Sequence, residues 1–244
     1  MFNSKHYVPI LKWKRAEQSA IEALTDENKK YLTPVIQFVM PKLTTKELVG
    51  KNQDEQFNTI ISKFQKKIMG IPEEILKAWG ATPIFVDFSL VYTTELKIEA
   101  LKSVVPAGEK LGVILIPVLH LGDDRKLIEA VKNNKRGLCL RLVCAYLDSL
   151  SGLDEKIKKF MLSAGLDEKN IDLLVDIKEL GEDLTKFFKY INITKEILNL
   201  PKWRTFTFAS GAFHENMSKC KLDEETLIPR MHWKSWIDLS EEKS

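Results

Sequence analysis

Seven short apolar segments recur along the chain, and stretches with helical periodicity separate them. They are YVPILKWK, LTPVIQFVMP, TPIFVDFSLV, GVILIPVLHLG, GLCLRLVCAYL, NIDLLVDIKEL and WRTFTFASGAF, and nearly every one ends in a polar or charged residue. Alternation of strands with helices is typical of an α/β fold with a parallel sheet. Ligands of such sheets collect at the carboxyl ends of the strands. The pattern therefore predicts a fold class and also the edge of the sheet where a site would lie.

Period-two and helical spacing give the expected element bounds. Strands are predicted at 7–14, 32–40, 83–90, 112–120, 137–146, 171–177 and 204–208. Helices are predicted at 15–31 (broken near Thr25, with Asp26 as a cap), 54–79 (restarting at Pro72), 94–104, 122–133, 153–164, 184–198 and 229–239. The segment 42–52 is expected to be a loop, and the segment 106–108 a turn.

This order of elements favours one TIM-barrel-like domain that spans residues 1–244. Regular strand–helix alternation without a long insertion is typical of such a barrel. A Rossmann fold is disfavoured because no Gly-rich phosphate loop follows the first strand, and GxxxxGK[ST], HExxH and GxSxG are also absent from the sequence. An eighth strand is not recognisable after Trp236, so we expect either an open barrel or a strand that belonged to a segment this chain lacks.

Composition is that of an ordinary globular protein, with 44% hydrophobic and 29% charged residues. A net charge of +3 is too balanced to indicate nucleic-acid binding by charge alone. Three cysteines at irregular spacing do not form a disulfide framework, and Cys139 and Cys144 should point to opposite faces. No signal peptide and no apolar run of about 18 residues is present. We therefore expect a cytoplasmic protein that does not enter the membrane.

The apolar segments and their flanks resemble one family over almost the whole chain. The matching stretches are YVPILKWKRAEQSAIEAL, LTPVIQ, ILKAWG before PIFVDFSL, RGLCLRL, IDLLVDI, WRTFTFASGAFHENM and IPRMHWKSW. In these the chain resembles the phage "beta protein" family, named for a T-even phage product, whose relatives also occur in bacterial genomes near mobile or anti-phage genes. Family members usually continue past the last stretch, so the resemblance implies that a C-terminal segment is lacking here. It implies a fold and a phage or defence setting, and no reaction.

Polar side chains at or just beyond the predicted strand ends are the candidate site, because they meet at the mouth of a barrel. The candidate catalytic residues are Asp87, Asp176 and His120. The candidate ligand-binding residues are Lys12, Lys14, Glu17, Gln37, Arg141, Ser210 and Gly211, and Ser89 lies at the same edge.

Each of these residues has a structural alternative. Asp87 and Asp176, each within an apolar run, would hold a divalent cation or act as an acid/base pair, or else form a salt bridge to Lys12 or Arg141. Arg141 would bind a phosphate or carboxylate through its planar fork, or pair with an aspartate inside the barrel. His120 would be a general acid/base or metal ligand, or a structural residue.

The remaining candidates point to an anion. Lys12 and Lys14 share a face with the apolar residues of the first strand, and we favour Lys12 pointing inward, with Trp13 packing against a helix. The alternative is that only one lysine points inward while the other snorkels to solvent. The Ser210-Gly211 turn suits a phosphate site made by backbone N–H groups, or is a turn that needs glycine.

Two functions of different classes follow. The first is a barrel that binds, and as an enzyme would hydrolyse, a phosphorylated or other anionic ligand, either a small molecule or a nucleic acid, with a divalent cation as the expected cofactor. The second is a non-catalytic interaction protein whose protein partner, or second copy, covers the open barrel edge. Trp233 and Trp236, three residues apart, would then be part of the partner surface rather than core.

Overall fold

The computed structural model describes residues 2, 6–179, 184–197, 199–211, 223–225, 227, 230, 231, 233, 234 and 237. The described residues form one parallel sheet with helices interleaved between its strands. The predicted helix at 229–239 falls largely outside the described residues, as do Trp236 and most of the polar segment before that helix.

Seven parallel strands lie in the order of the sequence and curl into a half-barrel. Their bounds are β1 Ile10–Lys12, β2 Val35–Gln37, β3 Ile84–Asp87, β4 Leu115–His120, β5 Leu138–Val143, β6 Ile171–Glu179 and β7 Thr205–Gly211. Sequential order with every connection through a helix is the arrangement of a (βα) barrel. No eighth strand is found among the described residues, and β1 and β7 do not pair with each other there.

Ten α-helices separate or follow these strands in the described part of the chain. They are α1 Arg15–Glu22, α2 Asp26–Lys29, α3 Thr45–Leu48, α4 Gln53–Ile68, α5 Ile71–Trp79, α6 Thr94–Lys110, α7 Arg125–Val131, α8 Cys144–Asp148, α9 Leu153–Ala164 and α10 Leu184–Ile197. No helix within the described residues is long and apolar enough to cross a bilayer.

Helix starts follow local capping chemistry. Thr25, rather than Asp26, caps α2, since its hydroxyl accepts the N–H of Asn28 at 3.3 Å. Asn52 caps α4 in a reciprocal capping box with Glu55. Pro72 occupies the first turn of α5 as predicted, where its missing N–H leaves no helical bond unmade.

Several predicted boundaries were wrong. The segment 42–52 contains the short helix α3, and β5 ends at Val143 because α8 begins at Cys144. The predicted turn at 106–108 is helical, with Pro106 inside α6. Gly108 serves close packing there, since a β-carbon at that position would lie 2.3 Å from the Leu115 side chain of β4.

Two hydrophobic cores lie on opposite faces of the sheet. The larger one fills the space between the sheet and the surrounding helices and includes Trp13, Phe64 and Trp79. The smaller one lines the inside of the curl, with members Val8, Val35, Phe85, Ile116, Val118, Cys139 and Leu174. Because strand residues alternate between faces, the position two residues after each inner member also faces inward. This alternation determines that the polar residues at the carboxyl ends of the strands face the inside of the curl.

Candidate ligand site at the carboxyl ends of the strands

Five consecutive strands each direct one polar side chain toward the inside of the curl at its carboxyl end. Each of these residues follows an inner-core residue by two positions, and they are Gln37 on β2, Asp87 on β3, His120 on β4, Arg141 on β5 and Asp176 on β6. Strand register brings neighbours level, since Gln37 lies opposite Asp87 and His120 opposite Arg141. We call these five residues the mouth cluster.

Arg141 is the centre of the mouth cluster and is 2% exposed. Its Nη1 donates to Asp87 Oδ2 at 2.5 Å, while Nε and Nη2 donate to Asp176 Oδ2 at 3.1 and 2.5 Å. Burial opposes the charged guanidinium, but the two aspartates outweigh it and raise the Arg141 pKa. Three of its five N–H groups are therefore engaged inside the protein. This geometry matches the ion-pair alternative for Arg141, and its ligand-binding role stays a prediction.

Asp87 is fully buried and well supplied with donors. Its Oδ1 accepts the backbone N–H of Ser89 at 2.7 Å, and its Oδ2 accepts Gln37 Nε2 at 3.2 Å in addition to Arg141. Burial by itself would raise the pKa of this carboxyl, but the neighbouring His120 ring, the charge of Arg141 and the Ser89 N–H hold the pKa well below its usual range. Asp87 is consequently an ionised anchor at neutral pH.

Asp176 repeats this arrangement on β6. Its Oδ1 accepts the backbone N–H of Lys178 at 2.8 Å, and its Oδ2 faces Arg141 and the Lys178 ammonium, the latter at 3.1 Å. Burial would raise its pKa, but Arg141 and Lys178 lower it. With both carboxyls ionised, neither aspartate holds a proton to donate at neutral pH, and the acid/base role predicted for the pair stays a prediction.

His120 is the mouth residue with an unmet hydrogen-bonding group. Its Nε2 is buried and has no hydrogen-bond partner in the described part of the chain, and it lies 3.7 Å from Asp87 Oδ1. The backbone is fixed by a bond from its own N–H to Asp123 Oδ2 at 2.7 Å. The side chain is 19% exposed, so it is accessible from the mouth. A ligand oxygen would satisfy Nε2.

The lysines predicted to bind an anion lie at the β1 side of the mouth. Lys12 ends β1, opposite Gln37 in register, and is exposed. Lys14 is the residue before α1, and Glu17 lies in the first turn of that helix, half-buried. Trp13 points to the other face, where its Nε1 donates to Glu74 at 2.8 Å, which confirms the predicted packing against a helix.

Ser210 and Gly211 are the last two residues of β7 and lie on opposite faces of the strand. Ala209 packs against the inner core, so Gly211 shares the inner side and Ser210 the side of Phe208, which packs with the outer core. Gly211 lies opposite Glu179 across an irregularity in the β6–β7 register. The two residues are thus within the strand rather than in a turn after it, and the anion-binding role predicted for them stays a prediction.

Lys178 is a mouth residue that the sequence reasoning missed. The predicted strand ended at Ile177, whereas β6 continues to Glu179 and carries Lys178 on the side of Asp176. A signal was available, because both buried aspartates are followed two positions later by a polar residue, Ser89 or Lys178, whose backbone N–H they accept. Nothing in the sequence, by contrast, indicates the left-handed backbone of Lys178, whose φ is +60°.

The cavity between two of the helices lies away from the mouth cluster. A cavity of about 580 Å³ lies between α6 and α7, lined by Ile98, Lys102 and Glu129 among others, and it includes none of the mouth cluster. Among the described residues, no group of three or more His, Cys, Asp or Glu side chains is placed to hold a metal ion. Cys139 is part of the inner core and Cys144 packs with the outer one, which confirms that they face opposite ways.

Comparison with protein families gives one match, to the Beta protein family over residues 7–244. The chain belongs to the Beta protein family. Since the match covers every described strand, the half-barrel and its mouth cluster are features of a Beta protein family member. None of the curated proteins compared with the chain matches it.

Two solved structures are weakly similar to this Beta protein family member. Both are the catalytic module of a family 98 glycoside hydrolase from Streptococcus pneumoniae TIGR4, one with the H-disaccharide blood group antigen and one in its native form. Each is 13% identical, with a TM-score of 0.40, and the alignments cover 85% and 86% of this chain. The chain spans 47% of the length of either module. At this similarity they carry no inference about chemistry.

Proposed function

We propose that the mouth of the half-barrel binds a phosphorylated or other anionic ligand, with His120 as the group that contacts it and handles the proton in any hydrolysis. The observation that carries this proposal is the buried, unpartnered Nε2 of His120 beside the ionised Asp87. A nitrogen left without a partner in the protein is a position that a ligand atom can satisfy.

Energetics support a role beyond folding for the mouth cluster. Removing ions from water is costly, and well-packed apolar residues in place of a buried ion pair are often neutral or stabilising. Asp87, Arg141 and Asp176 are all at most 3% exposed. A chain that needed only stability would be served as well by leucine and methionine here.

The residues divide into two roles under this proposal. Arg141 fixes the two aspartates, and Asp87 Oδ1, at 3.7 Å from His120 Nε2, orients the imidazole ring. The exposed Lys12 and Lys14 supply positive charge at the rim toward an incoming anion. Phosphodiester or related hydrolysis is the reaction class we propose to test first.

A divalent cation would enter such a reaction mainly with the ligand. Mg²⁺ typically takes one or two carboxylates, several waters and substrate phosphate oxygens. Asp87 and Asp176 each pair with Arg141 through Oδ2, and each Oδ1 accepts one backbone N–H, which leaves one acceptor site on each carboxylate for a cation that arrives with the phosphate. The cation is therefore proposed as a companion of the phosphate rather than as a resident of the protein.

The setting we propose is phage biology or anti-phage defence, as the family resemblance implies, and the compartment we propose is the cytoplasm. Small phosphorylated molecules and nucleic acids both occur there, and both present phosphate oxygens to the mouth. Membership of the Beta protein family supports this setting without naming a substrate.

The first experiment measures binding of inorganic phosphate to the wild-type chain by calorimetry and by NMR. Saturable binding is expected, and His120→Gln should weaken it by about tenfold or more, because a hydrogen bond to a charged group contributes roughly 1.5–3 kcal/mol. Lys110→Gln is the matched control, since Lys110 ends α6 at the opposite edge of the sheet. Absence of saturable binding, or equal binding by the His120 variant, would contradict the proposal.

Hydrolysis is tested separately with bis(4-nitrophenyl) phosphate, with and without Mg²⁺ or Mn²⁺. A proton-transfer role for His120 predicts a loss of about 10²- to 10⁴-fold in the His120→Gln variant. Phosphate binding without hydrolysis would support a ligand-binding protein and contradict the proposed enzymatic activity.

Two observations favour the second function, a non-catalytic interaction protein. Arg141 pairs with both Asp87 and Asp176, which is the arrangement expected of a structural ion-pair network. In addition, β7 pairs only with β6 among the described residues, which leaves its other edge for a protein partner or a second copy. A monomer in solution with no co-purifying protein would count against this function.

A further inference from the structure

Lys178 has a backbone conformation that its residue type disfavours. Its φ is +60°, in the left-handed region that glycine adopts readily and lysine rarely. The pairing of β6 with β7 is irregular at the same place, between Asp176 and Glu179. Strained backbone of this kind tends to occur at functional sites, where surrounding structure holds it in place.

The conformation directs the Lys178 ammonium to the mouth cluster. Its Nζ lies 3.1 Å from Asp176 Oδ2, while its own N–H binds the other oxygen of the same carboxylate. The side chain remains 52% exposed. The ammonium therefore lies at the boundary between the buried cluster and solvent.

The ion pair between Lys178 and Asp176 can open at little cost. Asp176 Oδ2 faces three donors, Nε and Nη2 of Arg141 and the Lys178 ammonium, whereas a carboxylate oxygen has two lone-pair sites. Arg141 is buried and cannot move without breaking the cluster, so the exposed lysine is the donor free to leave. Because the Lys178 side chain is 52% exposed, water can solvate its ammonium as it leaves, and Arg141 still pairs with Asp176.

We infer that Lys178 is the residue that binds the phosphate group of the ligand, turning its ammonium from Asp176 to the phosphate oxygens. This inference rests on the proposed function of the mouth. Lys178 follows Asp176 on β6, and His120 approaches Asp87 from β4, so the two groups face the mouth from either side of Arg141. A phosphate between them would receive one donor from each side.

Substitution at Lys178 separates this role from a structural one. Lys178→Gly relieves the backbone strain and keeps the N–H that Asp176 accepts, so it should raise the unfolding temperature. The same variant should weaken inorganic phosphate binding by about tenfold or more, as should Lys178→Gln, whereas Lys178→Arg should retain most of it. A lysine that served only the fold would not gain stability while losing a ligand.

Lys169→Gln is the matched control, because Lys169 is an exposed lysine next to the amino end of the same strand. Two competitors of bound inorganic phosphate then distinguish the sources of the ligand. Ribose 5-phosphate represents a small-molecule phosphate, and a short single-stranded oligonucleotide without terminal phosphate represents a nucleic-acid backbone. Displacement of phosphate by either one supports the assignment.

Two results overturn the assignment in distinguishable ways. A wild-type chain that does not bind phosphate removes the proposed function and the role of Lys178 together. A wild-type chain that binds phosphate, with the Gly and Gln variants binding equally well, removes only the role of Lys178 and leaves the mouth site in place.

Discussion

Replacing Arg141 by methionine tests how the mouth cluster is held together. Methionine keeps much of the volume but leaves Asp87, which is fully buried, without its main cation. Asp176 retains the Lys178 ammonium at 3.1 Å. Breaking a buried pair by removing one partner typically destabilises a protein by about 3–5 kcal/mol. We expect Arg141→Met to lie in that range at pH 7.

The pH dependence of this loss follows from the fate of Asp87. Without Arg141 the carboxyl can escape its buried charge by taking up a proton, and each pH unit above an ordinary carboxyl pKa of about 3.9 makes this about 1.36 kcal/mol more costly. Protonation then costs about 4 kcal/mol at pH 7 and about 1.5 kcal/mol at pH 5. The destabilisation should therefore shrink by more than half as the pH falls from 7 to 5.

Urea unfolding of both proteins, followed by circular dichroism, measures this difference. Arg204→Met is the control, because Arg204 pairs with the buried Asp172 at the other end of β6 but is itself 29% exposed. A triple variant, Arg141→Met with Asp87→Leu and Asp176→Leu, should recover most of the lost stability while losing phosphate binding. A loss of under about 1 kcal/mol for Arg141→Met, or one independent of pH, would refute the reasoning.

Three further outcomes are expected. Wild-type stability should be full above about pH 5 and fall as the pH drops through the unfolded and then the native pKa values of Asp87 and Asp176, since the native values lie below the unfolded ones. Acid titration of the unfolding free energy will show a flatter curve in the triple variant. Gly137→Ala should destabilise the protein by clearly more than the roughly 1 kcal/mol expected of Gly112→Ala. Both glycines have a positive φ, but only at Gly137 would a β-carbon collide with backbone, at 1.9 Å from the Asn170 carbonyl oxygen. Thermal unfolding of the two variants measures the difference. Burial raises the Cys139 pKa well above its usual value, so iodoacetamide should label this thiol, as mapped by mass spectrometry, only after unfolding.

Much of this fold could be predicted because its signals are local. Alternation of apolar runs with helical spacing located all seven strands, and the predicted strand ends placed Asp87, Arg141 and Asp176 at the mouth. The errors have tertiary causes. Pro106-Ala107-Gly108 resembles a turn in isolation, but packing of Gly108 against Leu115 keeps it helical.

The sequence predicted which residues line the mouth better than it predicted how those residues contact one another. Sequence reasoning left Arg141 open between a ligand and the aspartates, because spacing shows which residues share an edge but not how side chains divide their hydrogen bonds. The pairing of one guanidinium with both Asp87 and Asp176 depends on the curl of the sheet. The position of Lys178 depends on a single left-handed residue, which no periodicity encodes.

The most direct test of the central claim is a crystal of the wild-type chain soaked with phosphate and with Mg²⁺ or Mn²⁺. The account predicts a phosphate at the carboxyl ends of β3–β6, with an oxygen within about 3.2 Å of His120 Nε2 and Arg141 still bound to Asp87 and Asp176. A mouth that stays empty, with both aspartates paired to Arg141 and His120 satisfied by protein or water alone, would contradict it.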